Sequence, residues 1–350
     1  MTFLSPRVLV IGSFLVVILG VVFYFAFARV TRLSIAERLL DQQQTLSRAE
    51  ASNITSFFQT FGDSIAVFSR LGSVKNKSGF VAQNMDAFVE QWRDSDLVGG
   101  IVWAGTDAVV QLNSNVLGTS DVGASLADRD YFVWAESAKE GQYYVGEPVI
   151  SRLGATKGQM IVPVAAPIFR EDVFVGVIAA SVKLLPLTNQ YLEFMRVSDS
   201  TDVYLINQDG SLIYSNSNPD LAGSNLFELI EQNPLLVSQM LEDSLKKTLG
   251  SNEEGKLQAP YLNTKTQTSE VRLIAWSPVT LNSQNWVLIM ATPTQAVDQQ
   301  TRPVYGRLAA LLFLVFLTIL TFGVIVSREV QSEFGGQVAA KPQKPIEKAG

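Results

Sequence analysis

The apolar residues of this chain are concentrated in two long runs near its ends. The first extends from Val8 to Ala28 and the second from Leu308 to Val326, and neither contains a charged residue. Because about 20 helical residues cross the roughly 30 Å hydrocarbon core of a membrane, the pattern predicts a transmembrane helix at each end. A cleaved signal peptide is the alternative for the first run, but no small-residue cleavage site follows it.

An amphipathic helical pattern follows the first run. The recurring apolar positions are Ile54, Phe57, Phe58, Phe61, Ile65 and Phe68. Their i, i+3, i+4, i+7 spacing marks one face of an α-helix. A helix of about 40 residues is long for a simple surface helix, which is the alternative, so the pattern predicts a stalk that docks against a globular body. The same stripe predicts a homodimer through two parallel stalks.

The polar middle of the chain contains an internal repeat. Residues 101–115 and 203–217 each show a strand, a polar turn and a second strand, at an offset of 102 residues. An Asp-Gly pair between apolar runs, such as Asp209-Gly210, is a strong hairpin signal. Each copy continues with another strand pair, in which Pro167 and Pro278 occupy equivalent places. The repeat predicts two modules, each an antiparallel sheet with helical crossovers.

These patterns divide the chain into seven segments. They are an N-terminal segment at 1–7, transmembrane helices at 8–28 and 307–326, a stalk helix at 29–72, two modules at 73–190 and 191–306, and a flexible tail at 327–350. The tail contains Gly-Gly, two prolines and scattered lysines without apolar periodicity, so we expect no output domain in it.

Composition excludes several kinds of chemistry. The 350 residues include no cysteine and no histidine, which removes thiol and imidazole catalysis, haem ligation and nearly every zinc site. The net charge of −6 argues against nucleic acid as a partner, because phosphate binding needs a dense basic face. We therefore expect no enzymatic activity, no metal site and no cofactor.

The chain resembles the double Cache family of extracytoplasmic sensor domains over residues 29–306. The resemblance rests on the stalk, the hairpin pair and residues 123–182, in which DRDYF, YYVGEPVIS and two later strands follow in order. It implies an α+β fold: a long stalk helix carries two PAS-like modules with antiparallel sheets, flanked by two transmembrane helices. It also implies that the 73–190 module is membrane-distal and holds the ligand, and that the body lies outside the cell, which the Lys and Arg near the spans leave undecided. Bacterial and archaeal chemoreceptors, histidine kinases and cyclic-dinucleotide enzymes are the usual hosts.

Resemblance to the amino-acid-binding members implies a set of ligand-binding residues. They are Arg129, Tyr131, Phe132, Tyr144, Glu147 and Ser181. Arg129 matches the arginine that holds a carboxylate, Tyr131 and Phe132 match a Trp-Tyr pair, and Glu147 matches an aspartate before proline. Ser181 replaces the acid that binds an α-ammonium group, so a small organic acid becomes as good a candidate as an amino acid.

Plainer interpretations exist for several of these positions, and for Tyr131 and Phe132 the alternative is an aromatic residue of the core. Arg129 is flanked by Asp128 and Asp130, so a surface ion pair is its alternative. Tyr143 and Tyr144 alternate along a strand, so only one of them faces a pocket, and we favour Tyr144.

Two functions follow as hypotheses. The first is a two-pass sensor of the cell membrane, which binds a small organic acid or amino acid and signals across the membrane, with a separate membrane signalling protein as its output partner. The second is a structural protein whose body docks a periplasmic protein. An open, concave pocket in the distal module favours the first function, and a filled one favours the second.

We expect both termini in the cytoplasm and residues 29–306 outside, because two uncharged spans enclose one sensor-like body. Reporter fusions at Asp220 and at the C-terminal Gly350 measure this topology. The fusion at Gly350 is the internal control and should report the cytoplasm, while a cytoplasmic signal at Asp220 contradicts the prediction.

Overall fold

The structure is a computed structural model and describes residues 6–232, 239–263 and 268–338. The helices among these residues are α1 (Pro6–Ser69), α2 (Gly72–Lys75), α3 (Val81–Gln91), α4 (Asp130–Ser137), α5 (Leu184–Leu192), α6 (Leu226–Gln232), α7 (Gln239–Ser251) and α8 (Gln295–Val338). The strands are β1 (Val98–Gly105), β2 (Val110–Asn115), β3 (Tyr144–Val145), β4 (Val149–Ile150), β5 (Met160–Arg170), β6 (Val173–Lys183), β7 (Asp202–Ile206), β8 (Leu212–Ser215), β9 (Gly255–Asn263), β10 (Thr268–Thr280) and β11 (Asn285–Pro293). The chain divides into two compact units, residues 38–294 and the two ends together.

The unit formed by the two ends contains the start of α1 and the whole of α8. Each of these helices includes a stretch long and apolar enough to cross a membrane. Many large apolar side chains on them are exposed, and four of these are 65–67% exposed: Phe14, Phe25, Leu314 and Phe322. An Arg32–Asp298 ion pair at 2.9 Å and a hydrogen bond from the Tyr305 hydroxyl to the Ala28 carbonyl at 2.8 Å join the helices.

The distal module is built on an antiparallel sheet with the strand order β2-β1-β6-β5-β3, in which β4 also pairs with β5. Successive side chains of a strand point to opposite faces of a sheet. On β6, Ile178 and Ala180 therefore belong to the core that contains α1, whereas Val177 and Ala179 pack in the cluster with α4.

The second module, predicted at 191–306 and here named the proximal module, repeats this arrangement with the strand order β8-β7-β11-β10-β9. Apolar residues of α6 and α7 cover one face of its sheet. The repeat extends to the loops, because the Gly123 amide donates to the Val110 carbonyl at 2.8 Å and the Gly223 amide donates to the Leu212 carbonyl at 2.8 Å. The predicted pair of antiparallel modules is therefore confirmed.

Both modules share one core, which is organised by α1. The predicted apolar stripe from Ile54 to Phe68 is buried, with no member more than 9% exposed. Phe61 contacts the Trp92 ring edge-on in the distal module, with 5.2 Å between ring centroids, and Phe58 contacts Trp286 of the proximal module at 5.5 Å. The stripe is buried within its own chain, so it cannot form the dimer interface that the sequence predicted for it. Dimerisation through another face of α1 stays a prediction.

N-terminal to this stripe, α1 docks on the proximal sheet through polar side chains. Gln43 and Ser47 are fully buried. The Ser47 hydroxyl bonds to that of Ser277 at 2.8 Å, and the Gln44 amide donates to the Trp276 carbonyl at 3.2 Å. Upstream of Ile54, hydrogen bonds therefore make this interface between α1 and the proximal sheet.

Several predicted boundaries differ from the observed ones. The stalk ends at Ser69 rather than at residue 72, and α8 begins at Gln295, inside the segment assigned to the proximal module. The tail predicted to be flexible from residue 327 is helical as far as Val338, and residues 339–350 lie outside the described part. The Gly-Gly pair lowers helix propensity by about 1 kcal/mol per residue, but it removes no hydrogen-bond donor, so it does not end a helix as proline does.

We expect Phe61→Ala to lower the free energy of unfolding by about 3–5 kcal/mol, because it empties the space between α1 and the distal module. Thermal unfolding followed by tryptophan fluorescence measures the loss. Gln59→Ala on the exposed side of α1 is the matched control and should change little. Equal melting temperatures for the two variants would contradict the shared core.

Candidate functional site

A cleft opens on the α4 side of the distal sheet. Three small residues on adjacent strands form its floor: Gly100 on β1 pairs with Ser181 on β6, and Ser181 pairs with Pro163 on β5. Because none of the three carries a long side chain, the sheet leaves space beneath α4 and its loops. The cleft contains about 560 Å³ free of protein atoms, its open mouth included.

One end of the cleft is positively charged. Arg129 lines it from the position just before α4, where an extended backbone ends the preceding loop. Its guanidinium makes no hydrogen bond or ion pair with any residue that the structure describes. A second lining arginine, Arg152, donates to the Asp128 carboxylate at 2.7 Å and lowers the pKa of that carboxyl group. The ion pair suggested for Arg129 with Asp128 is therefore made by Arg152.

Tyr131 lies beside both guanidinium groups. It sits in the first turn of α4, it is 7% exposed, and it lines the cleft. Burial raises the pKa of its phenol to about 12, which the charges of Arg129 and Arg152 oppose. The hydroxyl is therefore a neutral donor near pH 7, and it makes no hydrogen bond within the described residues. Tyr131 and Arg129 together offer unused donors at one place.

The part of the lining supplied by the loops after β2 and β4 is polar and internally hydrogen-bonded. The Asp121 carboxylate accepts the Gly154 amide at 2.8 Å, and the Thr156 hydroxyl donates to that of Ser151 at 2.9 Å. Gly154 has a φ of +48°, and a Cβ there would lie 2.8 Å from Asp121 Oδ2, so only glycine fits. The bond to Asp121 holds the loop after β4 against the loop after β2, and the Thr156–Ser151 bond closes the loop after β4 on itself.

Of the six predicted ligand-binding residues, Arg129, Tyr131 and Ser181 line this cleft. The structure places the other three elsewhere.

Phe132 is 3% exposed and contacts Phe174 in the core, because neighbouring residues of a helix point in different directions. Tyr144 lies on the edge strand β3 with its ring 5.3 Å from that of Trp134. Glu147 is exposed; burial, Asp209 and Asp130 raise the pKa of its carboxyl group.

Sequence reasoning missed six polar residues of the cleft: Ser114, Asn115, Asp121, Ser151, Arg152 and Thr156. Ser114 and Asn115 end β2, Asp121, Ser151 and Arg152 lie in loops, and Thr156 ends a short 3-10 turn, so no periodic signal marks them as a group. One indirect signal was present: Gly99-Gly100 interrupts an apolar strand, and glycine inside a strand often marks the close approach of another group. A Cβ on Gly99 would lie 2.0 Å from the Thr156 methyl group, which accounts for this glycine.

The raised pKa of Tyr131 predicts a specific alkaline titration. The pKa of Tyr131 is higher in the folded state than its ordinary value of 10.0. Burial of the neutral phenol therefore stabilises the fold fully below pH 10, and this stabilisation is lost as the pH rises through about 12. Absorbance of tyrosinate should show a late component that Tyr131→Phe removes and the control Tyr144→Phe leaves. Superimposable curves for Tyr131→Phe and the parent chain would contradict this.

Comparison with known proteins agrees with the fold. The ligand-binding domain of the Pseudomonas fluorescens chemoreceptor CtaA, solved with L-isoleucine, is 16% identical to this chain, and the match covers 77% of this chain and 98% of that one with a TM-score of 0.55. Methyl-accepting chemotaxis protein X is 16% identical over 73% of this chain and 98% of its own, with a TM-score of 0.56. An extracellular domain attributed to a histidine kinase is 16% identical over 76% of this chain and 97% of its own, with a TM-score of 0.55.

At this identity the likeness concerns the fold alone. No curated protein sequence matches the chain. The model of the Cache domain, however, matches residues 30–301, which include the stalk and both modules. The chain therefore belongs to the double Cache family of extracytoplasmic sensor domains.

Proposed function

We propose that this protein is a two-pass membrane sensor that binds a small carboxylate in the cleft of the distal module and transmits a signal across the membrane. The observation that carries the proposal is the unpaired guanidinium of Arg129, which lies in an open cleft beside the unused hydroxyl of Tyr131. A partly desolvated guanidinium without an anion is costly, and a planar carboxylate matches its paired donors. The open cleft also favours a small ligand over the docking of a periplasmic protein.

The charges of the cleft suggest which carboxylates it prefers. Ser181 offers a hydroxyl in place of an acid, so it gives little to an ammonium group. Asp121 is the one acid among the described lining residues, and it already accepts the Gly154 amide. We therefore propose organic acids without an α-amino group as the preferred class. Amino acids such as those held by the CtaA domain are the second class, with Asp121 as their ammonium partner.

The membrane part of the proposal rests on the exposed apolar helices. A belt of exposed phenylalanine and leucine side chains is unfavourable in water and is satisfied by lipid. We propose that α1 and α8 both span the cell membrane, that the two modules are outside, and that the signal is passed to a separate membrane protein, with a dimer of this chain as the signalling unit.

We expect Arg129→Ala to weaken carboxylate binding roughly ten- to a hundred-fold, because charge-assisted hydrogen bonds contribute about 1.5–3 kcal/mol each. A thermal-shift screen of organic acids, amino acids and amines on the purified chain identifies the ligand, and calorimetry then measures its affinity. Arg93→Ala, which removes an exposed arginine paired with Glu90 outside the cleft, is the matched control.

The same assay separates the two ligand classes. If the ligand is an amino acid, Asp121→Asn should weaken binding as strongly as Arg129→Ala. If it is a simple acid, Asp121→Asn should leave affinity near that of the parent chain. Stabilisation by amines alone, or equal affinity in Arg129→Ala and Arg93→Ala, would reject the proposed site.

A further inference from the structure

The turn between β10 and β11 of the proximal module bonds to the backbone of the distal module. The Gln284 side-chain amide donates to the Gly146 carbonyl at 2.6 Å and to the Val145 carbonyl at 3.3 Å. The Ser283 hydroxyl accepts the Val145 amide at 3.2 Å. Gln284 is 7% exposed, so these bonds are shielded from water. We name residues 282–284 the coupling turn and residues 143–146 the wall segment.

The wall segment also touches the floor of the cleft. The Gly146 amide donates to the Pro163 carbonyl at 2.7 Å. A Cβ on Gly146 would lie 2.7 Å from Pro163 Cγ, so the backbone rests directly on the proline ring. Pro163 in turn pairs with Ser181, and both line the cleft. Two contacts therefore separate the cleft from Gln284.

A third contact joins the wall segment to α1. The ring of Tyr143 packs on Gly62, where a Cβ would lie 2.3 Å from the ring. Gly62 is the one glycine between Val30 and Leu71, and it removes the side chain that would hold Tyr143 away from the helix. The Asn282 side-chain amide donates to the Tyr143 carbonyl at 2.5 Å, so the coupling turn and α1 hold the same residue.

We propose that the wall segment carries the state of the cleft to the proximal module and to α1. A group that enters the cleft presses on Pro163, and closely packed elements respond by moving together because they leave no space to absorb the shift. The wall segment can then move only with the coupling turn and with α1 at Gly62. The side-chain oxygen of Gln284, Oε1, is buried without a partner among the described residues, so the network is not saturated in this arrangement. The inference rests on the proposed ligand-binding function of the cleft.

The absence of cysteine from the chain allows a test that does not depend on the identity of the ligand. Ser181→Cys places one thiol in the cleft, and iodoacetate converts it to a thioether that carries a carboxylate while iodide leaves. Hydrogen–deuterium exchange of the full chain in detergent is then compared before and after alkylation. We expect exchange to change roughly threefold or more in β5, in the coupling turn and in α1 around Gly62.

Substitution of the coupling turn should separate these responses. Gln284→Ala and Ser283→Ala are each combined with Ser181→Cys, and the exchange measurement is repeated before and after alkylation. The change in exchange in β5 should persist, and the changes in the coupling turn and in α1 should fall to less than half of those without the turn substitution. Ser244→Ala, which removes a hydroxyl bonded to the Met240 carbonyl of its own helix, is the matched control and should keep all three. Remote changes that survive both turn substitutions, or that are absent from the alkylated parent, would overturn the proposal.

Two further outcomes keep this inference distinct from the proposed function. Iodoacetamide adds a neutral group of nearly the same size, so equal responses to the two reagents would support coupling but reject recognition of a carboxylate by Arg129. A thiol that neither reagent can alkylate would show that the cleft does not admit small molecules, which would reject both proposals.

Discussion

The packing of one helix against two sheets is the interaction on which the rest of this structure depends. Phe58 and Phe61 lie on adjacent turns of α1. Phe58 contacts a tryptophan of the proximal module, and Phe61 contacts a tryptophan of the distal module. Residues of both sheets lie in one core with this helix, to which α3 and α5 also contribute. Because apolar burial is the main favourable term in folding, the two modules gain stability from the same set of side chains.

This shared core leaves the opposite face of each sheet for a different purpose. In the proximal module that face is filled by α6 and α7. In the distal module α4 covers part of it, and the row of Gly100, Ser181 and Pro163 leaves the remainder open. One repeated fold thus supplies both modules, and in the distal module a row of small side chains leaves room for a cleft.

The chemistry of the cleft follows from how its charges are distributed. Asp128 neutralises Arg152, which leaves Arg129 and the Tyr131 hydroxyl without partners. A site in which Arg129 and Tyr131 keep unpaired donors, while the polar loops around them are already hydrogen-bonded, is organised before any ligand arrives. Preorganisation of this kind increases affinity because little ordering remains to be done on binding.

The sequence by itself determined the elements with strong periodicity. Uncharged runs predicted the apolar helices, the 3.6-residue stripe predicted α1, and the repeated hairpins predicted two sheets, since each signal depends on local spacing alone. The tertiary structure decided which side chains share the cleft. Arg152 meets Asp128 across 24 residues of chain, and the edge strand β3 turns Tyr144 toward Trp134. Such meetings depend on how loops and edge strands fold back over a sheet, and no periodic pattern in the chain encodes them.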